Sequence, residues 1–154
     1  MADEILWVED HVYEVKAYIA VLDRRGWKVL TKSVKEALEY LKFAAKPIEF
    51  KIVVIDLMMD TIDLDFDKQD FSKSDTMNGL ATGVIILKKL RDLNPELSCI
   101  YFTNVDKTTE KGRKIHKYAM EGANERNTLW LHKSDVLPRE LVGIIKEFVS
   151  KKVS

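Results

Sequence analysis

Four consecutive β-branched residues, Ile52-Val53-Val54-Ile55, run unbroken up to an aspartate, Asp56. Side chains alternate between the two faces of a strand, so a strand that is apolar at every position needs cover on both faces. The sheet around it is then expected to be parallel, with helices above and below. Four further candidate strands match this reading, over Ile5 to Val8, Lys28 to Thr31, Cys99 to Phe102 and Leu129 to His132. Between them the apolar residues take helical spacing. Val12, Val15, Ile19 and Leu22 form one stripe, closed by Gly26, and Val34, Ala37, Leu38 and Leu41 form a second. Val84, Leu87 and Leu90 mark a helix ending before Pro95, and Leu137, Leu141, Ile144, Ile145 and Phe148 mark another with Pro138 near its start. The polar stretch from Lys107 to Asn127 is also predicted helical. It has only Ile115, Tyr118, Ala119 and Met120 to bury, so it is expected to be the more mobile element. The pattern predicts an α/β fold, a three-layer doubly wound sandwich around a five-stranded parallel sheet.

Composition narrows the function classes. The 154 residues, 46% hydrophobic and 32% charged, suffice for one domain over 1–154 with a proper core. No apolar run approaches the roughly 20 residues of a membrane span, and the acidic N-terminus lacks the basic and apolar regions of an export signal, so a cytoplasmic location is expected. Lys+Arg and Asp+Glu balance at 25 each, which gives no drive toward nucleic acid, and no direct nucleic-acid contact is expected. Cys99 is the only cysteine. It reads as a small core residue within Cys99-Ile100-Tyr101-Phe102.

The segment 60–78 breaks the alternation. It has no period, carries six Asp against two Lys, and is predicted to be a long acidic loop. Asp63, Asp65 and Asp67 have the spacing that opens a calcium loop, but Lys68 stands where the turn needs glycine and Ser74 where a bidentate Glu belongs. A solvated loop is therefore expected rather than a calcium site.

In an open parallel sheet ligands bind beyond the carboxyl ends of the strands. Here those ends are polar: Glu9 and Asp10 follow the first strand, Asp56 the third, Thr103 the fourth and Lys133 the fifth. Any one of these alone reads equally well as a helix cap or a surface residue. Together on one rim they bring three carboxylates into a crevice, where like charges about 4 Å apart repel by roughly 4 kcal/mol at an effective dielectric near 20. A hard cation, Mg²⁺ or Mn²⁺, is the natural compensation for all-oxygen ligands, and it leaves places for phosphate oxygens. Such a site suits phosphoryl transfer. Asp56 is the candidate nucleophile, forming an acyl phosphate, with Asp10 as metal ligand, Glu9 as an outer ligand, and Thr103 and Lys133 on phosphate oxygens.

The residues Ile5-Leu6-Trp7-Val8-Glu9-Asp10, Val53-Val54-Ile55-Asp56-Leu57-Met58-Met59, Tyr101-Phe102-Thr103-Asn104 and Trp130-Leu131-His132-Lys133 resemble the response-regulator receiver family, and the resemblance covers almost the whole chain. It implies a flavodoxin-like sheet in order 2-1-3-4-5 and phosphotransfer to Asp56 from a histidine kinase or a phosphotransfer protein. It further implies Mg²⁺ held by Asp10, Asp56 and the Met58 backbone carbonyl. The stretch from Gly83 to Arg91 resembles the third helix of the family, which makes 60–78 an insertion beside the site. The resemblance also implies a switch, in which Thr103 moves inward on phosphorylation, Trp130 follows, and the surface of helix four, strand five and helix five changes shape. Trp130 serves equally well as an ordinary core aromatic.

The chain departs from that family at several places. Ser134 stands where a proline usually follows the lysine, so the usual cis peptide is not expected there. Asn104 is larger than the residue common after the threonine and is expected to narrow access to the phosphoryl group. Met58 and Val105 offer no polar group to orient an attacking water, so slow self-dephosphorylation is expected. The insertion is expected to select the kinase or to shield the site. No effector sequence follows the fifth helix, which is expected to end near Lys152, so output is expected to pass through a downstream protein partner or a further phosphotransfer step. Two other readings remain open. One is a receiver-like module that acts by protein contact without phosphorylation. The other is a phosphatase with an aspartyl nucleophile, against which Met58 stands where such enzymes place a second Asp. The reading preferred is a phosphoacceptor signalling domain and not a turnover enzyme, its oligomeric state left open.

Overall fold

A computed structural model describes residues 3–43, 50–59, 72–121 and 127–151. Five strands, β1 (Glu4–Val8), β2 (Lys28–Lys32), β3 (Ile52–Ile55), β4 (Ser98–Thr103) and β5 (Thr128–His132), form one sheet in the order β2-β1-β3-β4-β5. Every pairing is parallel. Five helices accompany them: α1 (Lys16–Arg24), α2 (Val34–Phe43), α3 (Thr82–Leu93), α4 (Glu110–Met120) and α5 (Pro138–Ser150). Among the described residues no helix is long and apolar enough to cross a membrane.

The β3 run is covered as its composition demands. Val53 and Ile55 face one apolar core with Leu6, Val8, Cys99 and Tyr101, which α2, α3 and α4 close through Val34, Ala37, Ile86, Leu90, Ile115 and Ala119. Ile52 and Val54 face the other core with Ile5, Trp7, Ile100 and Phe102, closed by Val15 and Leu22 near and on α1 and by Leu141, Ile145 and Phe148 on α5. Cys99 is fully buried in the first of these cores, and burial pushes its thiol up to about 12, which leaves it inert as a nucleophile. Local signals set the helix ends. Ser33 and Glu36 form a reciprocal capping box at α2, with Glu36 N donating to Ser33 Oγ at 3.2 Å and Ser33 N to Glu36 Oε1 at 2.9 Å. Thr109 caps α4, its hydroxyl accepting the Gly112 N–H at 3.0 Å. The polar segment is thus helical over 110–120, and it buries Ile115 and Ala119.

Two differences from the sequence reading stand out. Val12–Val15 is a 3-10 turn ahead of α1, not its first turn. Apolar residues three apart satisfy either geometry, so the spacing could not separate them. The acidic stretch 60–78 lies outside the described residues as far as Phe71, including Asp63, Asp65 and Asp67, but its end is built structure. Ser74–Thr76 forms a 3-10 turn closed by Ser72 N donating to Asp75 Oδ2 at 2.7 Å, with Thr76 buried. Met77, Asn78 and Gly79 follow with φ of 51°, 57° and 92°. A left-handed Met costs about 1–2 kcal/mol, offset here by backbone bonds such as Met77 N to Ser74 O at 3.0 Å. Tyr118 on α4 donates its hydroxyl to the Asp75 carbonyl at 2.6 Å and so fixes this turn against α4.

Candidate functional site

The strand order reverses between β1 and β3, and ligands of such sheets bind outside the carboxyl ends at that point. Val8 is in register with Ile55, and Ile55 with Tyr101, so Glu9 and Asp56 emerge side by side. Asp56 N donates to the Val8 carbonyl at 3.2 Å and extends the ladder one step beyond the strands.

Lys133, entering from the end of β5, joins the two carboxylates. Its ammonium lies 3.0 Å from Glu9 Oε2 and 3.0 Å from Asp56 Oδ2, although 124 and 77 residues separate the partners in sequence. All three side chains are nearly sealed, Glu9 being 1%, Asp56 9% and Lys133 10% exposed. The second oxygen of each acid takes a backbone N–H: Leu57 N donates to Asp56 Oδ1 at 2.7 Å and His11 N to Glu9 Oε1 at 3.2 Å. Burial and the Asp56 charge raise the Glu9 carboxyl above its ordinary value, more than Lys133 and the His11 N–H lower it. Burial works to lower the Lys133 ammonium, but Asp56 and Glu9, by charge and by hydrogen bond, outweigh it and hold it above the usual lysine value.

The remaining predicted residues fall around this centre. Asp10 follows Glu9, and its Oδ1 accepts the Val34 N–H at the start of α2 at 3.2 Å. Thr103 ends β4 fully buried, with its Oγ1 accepting from Val105 N at 3.2 Å, a bond that does not use the hydroxyl proton. Met58, 39% exposed, sits at the rim two residues beyond Asp56. Trp130 lies half-buried on β5 with its ring against Tyr101 and His116, centroids 6.2 and 4.8 Å away. Its indole Nε1 is buried with no hydrogen-bond partner among the described residues. The Lys133–Ser134 bond is trans, as is every described peptide bond.

Several contacts of the site were not foreseen. Gly83, in the first turn of α3, packs so closely on the loop of Asp56 that a Cβ there would fall on the Asp56 carbonyl oxygen, and its N–H donates to the Leu57 carbonyl at 3.1 Å. Thr82 Oγ1 donates to the Met59 carbonyl at 3.0 Å. Tyr18, from α1, donates to the Val136 carbonyl at 2.6 Å beyond the turn that carries Lys133. His11 and Glu14 stand exposed beside Glu9, with one ligand atom from each of the three residues within 4.8 Å of the others. No spacing rule marks such contacts, although a glycine at the start of a helical pattern hints at close backbone approach.

The Glu9 and Asp56 carboxylates here share one ammonium, Asp10 follows Glu9 in the chain, and the donors of these three residues are all oxygen. Burial, and after it the charge of Asp56, raises the Glu9 carboxyl, so the site resists its own negative charge. A hard divalent cation fits that donor set and would relieve it.

No family model and no curated protein matches the chain. Solved structures do. A response-regulator receiver domain protein from Methanospirillum hungatei is 18% identical with a TM-score of 0.64, covering 98% of this chain and 96% of that one. A receiver domain protein from Clostridium thermocellum is 19% identical at 0.64, covering 97% and 96%. A two-component response regulator from Clostridium difficile is 12% identical at 0.66, covering 99% of both. The chain has the flavodoxin-like fold of response-regulator receiver domains, a five-stranded parallel sheet in the order 2-1-3-4-5 between two helical layers.

Proposed function

We propose that the protein is a phosphoacceptor switch of two-component signalling, which takes a phosphoryl group on Asp56 from the phosphohistidine of a histidine kinase or phosphotransfer protein and passes the signal to a downstream protein partner. The observation that carries this reading is the buried ammonium of Lys133 shared between Glu9 and Asp56 at the switch point of the sheet. In the transfer an Asp56 carboxylate oxygen forms a bond to phosphorus as the P–N bond to the donor imidazole breaks, its electron pair staying on nitrogen. Leu57 N–H holds Asp56 Oδ1, which fixes the plane of the carboxylate, while Lys133 is charged and placed to move from carboxylate to phosphoryl oxygen. The Thr103 hydroxyl, whose proton its bond to Val105 N leaves unused, would be the second donor. Mg²⁺, when bound, would neutralise charge on the phosphoryl oxygens, and Asp10, Asp56 and the Met58 carbonyl would hold it.

Met58 and Val105, the second a buried side chain, supply no polar group to aim a water at the phosphorus. The aspartyl phosphate is therefore expected to last minutes or longer, and decay within seconds, followed by intact mass, would refute this. The switch proposed for Thr103 and Trp130 is supported by the unpaired indole N–H, which gives the present packing of Trp130 no polar anchor.

The test is intact mass after incubation with Mg²⁺ and acetyl phosphate. The wild type is expected to gain one phosphoryl mass and Asp56→Asn none. A wild type that gains nothing with several donors and binds no Mg²⁺ would favour a module working by protein contact alone.

A further inference from the structure

The turn that aims Lys133 has no covalent constraint of its own, yet its lysine sits within 3.0 Å of two buried carboxylates. It is a single 3-10 turn, Lys133–Asp135, and its entry is capped by the residue before it. His132 Nδ1 accepts the Ser134 backbone N–H at 3.2 Å and lies 2.7 Å from Ser134 Oγ. On its far side Nε2 lies 3.1 Å from the Asn104 carbonyl oxygen. These contacts assign the tautomer. A backbone N–H can only donate, so Nδ1 carries no proton, and a carbonyl oxygen can only accept, so Nε2 does. Both demands are met by one neutral imidazole.

The placement matters because Asn104 directly follows Thr103 and Ser134 directly follows Lys133. Thr103 and His132 are the last residues in register between β4 and β5. Beyond them the two chains are free of the ladder, and the imidazole spans the gap. The charged neighbours do not compete for its nitrogens: the Lys133 ammonium is committed to Glu9 and Asp56, and Asp106 accepts from Thr108 N at 2.8 Å and Thr108 Oγ1 at 2.6 Å.

We propose that His132 is a positioning residue for phosphoryl acceptance, clasping the loop after Thr103 to the turn of Lys133 so that hydroxyl and ammonium converge on the same phosphoryl group. The inference rests on the phosphoacceptor reading of Asp56. It assigns to His132 no contact with the reacting atoms. Loss of the clasp frees the Ser134 N–H and the Asn104 carbonyl to water and lets the lysine wander, and displacement of about 1 Å at a catalytic group suffices for large rate losses.

The experiment measures the limiting rate of phosphorylation at saturating acetyl phosphate, together with the half-saturating Mg²⁺ concentration, for wild type, His132→Ala and His132→Asn. His132→Ala is expected to slow the limiting rate about tenfold, the factor that loss of one positioning hydrogen bond yields. The Mg²⁺ midpoint should stay within about twofold, because the clasp touches no carboxylate. Asn, a strong cap acceptor, restores the bond to Ser134 N and should recover most of the rate. Imidazole ¹⁵N shifts of the wild type should show a protonated Nε2 and a bare Nδ1, a readout that stands even where His132→Ala fails to fold. An Ala variant as fast as wild type, an Asn variant as slow as Ala, or a protonated Nδ1 overturns the role of His132. A wild type that accepts no phosphoryl group overturns the reading of Asp56 itself, which is a different result.

Discussion

Replacing Lys133 by methionine should unsettle the protein most at neutral pH in Mg²⁺-free buffer, and the structure fixes both the size and the pH dependence of the effect. Each of its two contacts at 3.0 Å carries about 5 kcal/mol of attraction at an effective dielectric near 20. Desolvation of three nearly sealed groups cancels much of this, and removing one partner of a buried ion pair typically costs about 3–5 kcal/mol. The carboxylates left behind cannot be far apart. With both oxygens 3.0 Å from one nitrogen, they are at most 6.0 Å from each other, a repulsion of about 3 kcal/mol or more in the same medium. We expect a loss of about 3–5 kcal/mol at pH 7.5, read from urea unfolding at fixed ionic strength. Glu9 then sets the pH dependence. Its carboxyl is raised even with Lys133 present, by burial and by Asp56, and both influences persist in the variant. A carboxyl raised in the folded state contributes stability that is complete below its unfolded value near 4.5 and is lost as pH rises through the folded one. The deficit should therefore shrink at pH 5, and Mg²⁺ added at pH 7.5 should shrink it as well. A loss below about 1 kcal/mol at pH 7.5, or an equal loss at both pH values, would refute the electrostatic account, since no buried pair would then have been broken.

Glu9→Gln keeps the size and removes the charge that its surroundings resist, but its one amide oxygen cannot accept from both the His11 N–H and the Lys133 ammonium; its stability relative to wild type without Mg²⁺ should therefore be higher at pH 7.5 than at pH 4.5, and urea midpoints across that range decide it. Gly83→Ala should lose about 1–3 kcal/mol by overpacking and slow phosphoryl acceptance, because its Cβ displaces the Asp56 carbonyl. Gly143→Ala, with open space around its Cβ in α5, should instead gain up to about 1 kcal/mol, both variants read by urea unfolding. Trp130→Phe should change stability by less than about 1 kcal/mol, as the lost ring area is offset by relief of a buried N–H that has no partner; a loss above about 2 kcal/mol would show that the indole N–H is satisfied after all.

The sheet was legible because two independent periods agreed on it. An apolar strand such as Ile52–Ile55 admits no exposed face, and stripes such as Val34, Ala37, Leu38 and Leu41 supply the helical cover, so that only a covered parallel sheet accommodates both. Strand ends came within one residue, as for Ser98–Thr103 against the expected Cys99 to Phe102. The convergence of Glu9, Asp56 and Lys133 followed from the same fact, since a register slip of one residue would turn every side chain of a strand to the other face, and fixing the faces fixes the ends.

What escaped the sequence is contact between segments far apart in the chain whose local signals were complete without it. Tyr18 reads as an ordinary helix residue until its hydroxyl is found on the Val136 carbonyl, 118 residues away. His132 reads as the polar end of a strand until the tautomer demanded by Ser134 N and the Asn104 carbonyl makes it a clasp. Asp75 reads as one aspartate among six, yet its carboxylate closes a turn on Ser72 and its carbonyl holds Tyr118. That turn leads through Gly79, whose carbonyl accepts the Met59 N–H at 3.2 Å, back to the loop of Asp56. The end of the acidic stretch is thus tied both to α4 and to the loop of Asp56, so a displacement of Met59 has a short covalent and hydrogen-bonded path to Tyr118.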